Sequence, residues 1–168
     1  MKTYEEMYGK HTGAFYAPCD YNPILGAIGE IVLQVDDSDY QGDSRVLYKD
    51  GDNWGVLFFG WGSCSGCDAL QACDSPTEVE ELGQQLESSV RWKPQEEMLT
   101  WLYEHDWKGD YSWYEEETHK FVAKARAILH GFGVGTEEER MVAADWFEER
   151  GQVYEAAILR GQGTRLSS

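Results

Sequence analysis

Hydrophobic spacing along the chain changes character near residue 75. Before it, apolar residues come in short runs. Ile28–Val35 is rich in Ile, Val and Leu, Arg45–Lys49 alternates Val46 and Tyr48 against Leu47, and Trp54–Phe59 is a third run. Such runs bounded by turn residues read as strands. Asp36-Asp37-Ser38-Asp39 marks one turn. Asp50-Gly51-Asp52-Asn53 marks a tight hairpin, because Asp-Gly and Asn accept positive φ. The three runs predict an antiparallel meander spanning about residues 28–60.

Beyond residue 75 the period is helical. Ser75-Pro76-Thr77-Glu78 reads as a capping box with proline in the first turn, and Val79, Leu82, Leu86 and Val90 form one apolar stripe. A second helix opens at Pro94 with Met98, Leu99 and Leu102 and ends near His105. A third runs from Glu115 to about Leu129 with Phe121, Val122 and Ala125 on one face. The aromatic segment 106–114 connects them. Gly131, Gly133 and Gly135 then break the chain, and Thr136-Glu137-Glu138-Glu139 starts again with a fresh cap. Two short helices follow, ending near Arg160 before a frayed tail. At the other end, a short helix over Thr3–Tyr8 precedes irregular chain. The expected fold is α+β: a three-stranded antiparallel sheet packed against three helices over residues 1–130, with a helical hairpin appended at 136–161.

Composition supports a packed core, with 42% hydrophobic residues including 7 Trp and 10 Tyr. Charge narrows the partners. Only 14 Lys and Arg face 31 Asp and Glu, for a net charge of −17, and the cations are dispersed in pairs such as Arg91 with Lys93. Phosphate binding needs clustered cations to release counterions, so nucleic acid and anionic membrane are disfavoured. A basic protein face is the fitting partner. Met1–Lys10 has no apolar run of a signal peptide, and no stretch is long enough to span a bilayer, so a cytoplasmic setting is expected.

Many acids have a local role, since Glu78, Glu115–Glu117 and Glu137–Glu139 stand at helix starts and complement the dipole there. Asp36, Asp37, Asp39 and Asp43 share one loop but lack the calcium-loop spacing. With Trp107 and Trp113 they are candidate partner-binding residues.

The densest chemistry lies in Gly60-Trp61-Gly62-Ser63-Cys64-Ser65-Gly66-Cys67-Asp68, with Cys73 soon after. Cys64 and Cys67 in a glycine-rich turn admit three readings. They supply half of a zinc site, with Cys73 and Cys19 as the remaining ligands. They form a redox dithiol, although Asp68 beside Cys67 should raise the thiol pKa. Or they pack as small apolar groups. No second C-x-x-C or H-x-x-x-H completes a zinc pattern, and no phosphate loop or paired nucleophile and base is evident.

Two stretches resemble known sequence types. Gly62–Leu70, Ser88–Trp92 and Asp106–Trp113 resemble a group of small proteins from actinobacterial phages and their hosts; the resemblance implies a phage-like context and no known activity. Ala144-Asp145-Trp146-Phe147-Glu148-Glu149-Arg150-Gly151 with Ala156–Arg160 is similar to the repeat-companion domain, with Phe147 in place of leucine and Gln152 in place of aspartate. The resulting expectation is a non-enzymatic acidic interaction protein that binds or inhibits a basic host protein, in a host cytoplasm. The alternative is a small zinc- or thiol-dependent enzyme or redox protein centred on Cys64 and Cys67.

Overall fold

A computed structural model describes residues 1–107 and 115–161. The fold is α+β, with helices α1 (Tyr4–Tyr8) and α2 (Asn22–Ile28), strands β1 (Glu30–Asp36), β2 (Gly42–Asp50) and β3 (Asn53–Trp61), helix α3 (Pro76–Ser89), strand β4 (Arg91–Pro94), and helices α4 (Gln95–Glu104), α5 (Glu115–Leu129), α6 (Glu137–Glu149) and α7 (Val153–Leu159). Two compact units make it up, Met1–Lys93 and Pro94–Ser168.

The first unit holds the sheet, in strand order β1-β2-β3-β4. The expected meander is present: β1 pairs antiparallel with β2, and β2 with β3 in continuous register from Gly42↔Trp61 to Asp50↔Asn53. The tip is the anticipated two-residue turn, with Gly51 at φ 56°. The sheet has four strands where three were expected. The fourth arises where α3 stops: Val90 is already extended, and Lys93 precedes Pro94, which disfavours helical backbone. Helix α2 was likewise not anticipated. Pro23 fixes its first turn, and Ile24 and Leu25 are fully buried.

Leu25, Val46, Tyr48, Leu57 and Val90 form one core of this unit, joined by Phe59 and by Leu86 of α3. Ile24, Leu70 and Val79 form a second, where Cys73 and Leu82 also pack. Helix α3 therefore belongs with the sheet, together with α1 and α2, whereas α4 and α5 belong to the second unit. At α3 the cap differs in detail from the expected box. Ser75 accepts from the Glu78 amide, but the Glu78 carboxylate takes the Asp74 amide at 2.5 Å.

The second unit packs Ala127 of α5 with Ala143, Ala144 and Phe147 of α6 and Ala156 and Leu159 of α7. Phe132 and Val134, from the glycine-rich segment, rest on this same core. The Thr136 capping box is present, and the Glu139 carboxylate also accepts from the Gly135 amide at 2.9 Å. The joint read at Gly131–Gly135 thus lies within this unit. Residues 108–114, most of the aromatic connector, and the tail at 162–168 lie outside the described residues.

Candidate functional site

Strand β3 ends at Trp61, and the chain turns at once. Gly62 is buried and its backbone lies against Cys67: a Cβ at Gly62 would meet the Cys67 carbonyl and come 2.7 Å from its Sγ. Only glycine admits that approach. The amide of Cys67 donates to the Cys64 carbonyl at 3.0 Å, closing a β-turn over Cys64-Ser65-Gly66-Cys67.

Asp68 anchors this turn from beneath. Its side chain is buried, at 4% exposure, and accepts from the Gly62 amide at 2.9 Å and the Gln71 amide at 2.8 Å. The Tyr21 hydroxyl lies 3.3 Å from the same carboxylate and itself accepts from the Leu70 amide at 3.1 Å. The side-chain amide of Gln71 donates back to the Gly62 carbonyl at 3.3 Å. Burial foremost, then Asp68, holds the Tyr21 hydroxyl well above the usual phenol range.

On this base, residues 63–67 are exposed, and the two thiols face each other with Cys64 Sγ and Cys67 Sγ 2.8 Å apart. The Cys64 amide donates to Cys67 Sγ at 3.1 Å, and Ser63 Oγ lies 3.9 Å away. These contacts, led by the Cys64 thiol, draw the Cys67 thiol below its ordinary pKa. The sequence expectation ran the other way. The Asp68 carboxylate is turned inward to the Gly62 and Gln71 amides, and the sulfur contacts prevail at Cys67.

The other two cysteines do not join the pair. Cys73 Sγ donates to the Ala69 carbonyl at 3.3 Å, and burial, with Glu78, Asp68 and Asp74, pushes its pKa up. Cys19 is exposed elsewhere. Among the described residues, no group of three or more His, Cys, Asp or Glu converges as a metal site. Zinc needs four ligands, and the described side chains bring together only Cys64 and Cys67.

The stretch of chain that carries the pair holds no cation. Between Lys49 and Arg91 there is no Lys or Arg, and there are eight Asp or Glu. The β2–β3 register sets Asp43 across from Gly60, beside the turn. Arg45 is 1% exposed and bound to Asp37 at 2.9 Å. Lys49 lies over the Trp54 ring at the opposite end of β3, about 20 Å along the strand at ~3.3 Å per residue.

The proposed partner-binding residues divide. Asp36 and Asp39 are exposed, and Asp43 is half-buried. Asp37 is 5% exposed; besides Arg45, it accepts the Asp43 amide at 2.6 Å, so it holds its own loop together. Trp107 is buried, donating to the Leu102 carbonyl at 2.9 Å and packing edge-on against Trp101, which removes it from any docking face. Trp113 lies outside the described residues.

A second polar cluster, in the other unit, was not signalled by the sequence because its members are far apart in the chain. Buried Arg126 meets Glu155 at 2.6 Å and the Leu102 carbonyl at 2.7 Å, with its guanidinium 4.4 Å from the Tyr103 ring centre. The Tyr103 hydroxyl reaches His130 Nε2 at 3.1 Å and Gln152 at 3.3 Å, and His119 contacts the Tyr154 hydroxyl. Each long side chain here is engaged by another, which is the behaviour of a structural network.

No helix among the described residues is long and apolar enough to cross a membrane. Compared with known family models, curated proteins and solved structures, the chain shows no match to any of them.

Proposed function

We propose that this chain is an acidic thiol-redox protein in which Cys64 and Cys67 cycle between a dithiol and an intramolecular disulfide. The observation that carries the reading is the exposed pair of sulfur atoms 2.8 Å apart on a hydrogen-bonded turn. The turn suits both states, so closing the ring asks for little backbone movement. Cys67 is the first nucleophile, since the Cys64 amide points at its sulfur.

Mass spectrometry tests this directly. Treated with hydroxyethyl disulfide, the protein should lose two hydrogens with both thiols blocked to alkylation. Cys64→Ser should instead accumulate a mixed disulfide on Cys67, and Cys67→Ser should react far more slowly. One zinc per chain on elemental analysis, removed together with stability by chelator, would overturn the reading in favour of a metal site completed by other residues.

A second reading is favoured by the charge. At −17, with exposed Asp36 and Asp39, the chain is suited to docking on a basic protein, the host protein implied by the phage-like resemblance. The same surface disfavours nucleic acid. Capture of a basic partner by a variant lacking both cysteines would support this reading over redox function.

A further inference from the structure

We propose that the Cys64–Cys67 pair selects its substrate by charge, and that the substrate is a disulfide carried on a Lys- or Arg-rich peptide segment. This rests on the dithiol reading above and adds a substrate class to it. Two independent features converge at the turn. The sulfurs are exposed and adjacent. Asp43 stands beside the turn, Asp74 and Glu78 bear on the neighbouring Cys73, residues 50–90 hold no Lys or Arg, and the chain as a whole carries −17. An incoming disulfide therefore meets the negative potential set by these carboxylates and by the net charge. Anionic disulfides are repelled and cationic ones are concentrated at the turn, by factors of roughly 10–1000 in rate at low ionic strength.

The chemistry balances with the disulfide as oxidant. Cys67 sulfur, as thiolate, attacks one sulfur of the peptide disulfide; an S–S bond to Cys67 forms, and the peptide S–S bond breaks, releasing one peptide thiolate. Cys64 sulfur, having given up its proton, attacks Cys67 sulfur; the Cys64–Cys67 bond forms, and the second peptide thiolate leaves. The protein loses two electrons and two protons, and the peptide disulfide gains them as two thiols.

The test uses three symmetrical disulfides, those of the tripeptides Lys-Cys-Lys, Ser-Cys-Ser and Glu-Cys-Glu. Rates are measured on the intact protein and divided by those of dithiothreitol with the same disulfide, which removes intrinsic differences in leaving-group strength. The lysine peptide should react at least ~10-fold faster than the serine one and the glutamate peptide slower, with the spread collapsing as salt rises past about 0.15 M. Equal normalised rates, or a spread indifferent to salt, would overturn charge selection and leave the dithiol reading standing. If no disulfide closes the Cys64–Cys67 bond, both fall. Charge reversal at Asp43 and Asp74 to lysine should narrow the spread; because these carboxylates lie outside the reacting pair, the serine peptide reports whether basal reactivity survives.

Discussion

A single carboxylate, Asp68, ties the cysteine turn to the chain beneath it. It satisfies the amides of Gly62 and Gln71 in a buried setting, and an amide stripped of such a partner costs about 1–3 kcal/mol. Asp68→Ala should therefore lower the unfolding free energy by that order, measured by urea titration, and slow ring closure by loosening the turn. Gly62→Ala should be as damaging for a steric reason, since the new Cβ would overlap the Cys67 carbonyl. In the other unit, His130 offers a pH handle. Burial, then Arg150, holds its imidazole below the ordinary value, with Glu155 opposing. The folded state thus binds this proton less readily than the unfolded chain does. The associated stability is complete above about pH 6.5 and is lost as pH falls through the lowered value. Urea midpoints should decline across that interval in the wild type and flatten in His130→Gln; identical slopes would mean that other groups control it.

At the scale of elements, most of the framework was legible, because periodicity and punctuation are local signals. The three runs with Asp50-Gly51 between the last two, the Thr136 box and the apolar stripe of α3 each carry their own instructions. Strand β4 escapes a sequence reading because four residues carry no measurable period, and α2 because its seven residues sit in the stretch read as irregular chain, with Pro23 in the first turn. The site was half legible. The spacing of Cys64 and Cys67 announced a pair, but the inward turn of Asp68, the failure of Cys73 and Cys19 to join, and the burial of Trp107 and Asp37 depend on tertiary packing. The network around Arg126 was invisible for the same reason. It also bears on the C-terminal helices. Glu155→Ala should cost about 3–5 kcal/mol by stranding a buried guanidinium, and the double substitution Arg126→Met with Glu155→Leu, which removes both charges, should recover much of that loss in urea titration. Cutting the chain after Leu129 removes the same partner and uncovers Ala127, so the second unit should lose its cooperative unfolding while the first, with its own cores, keeps it.

For the whole molecule, charge is the governing property. A net −17 without a cationic cluster predicts no mobility shift with plain duplex DNA at physiological salt. It also predicts that association with a basic partner slows as salt rises, which stopped-flow measurement over a salt series can read. The order of the sheet gives that charge another duty. Strand β1, Glu-Ile-Val-Leu-Gln-Val-Asp, lies at the sheet's outer end with an acid at each terminus, Glu30 and Asp36. An outermost strand of β-branched and aliphatic residues is a template for its own kind, and flanking carboxylates act as gatekeepers against fibrillar stacking. Near the sequence pI of 4.4 the colloidal repulsion of the surface vanishes, so turbidity should develop there with cross-β character, and lysine substitution at Gln34 should delay it.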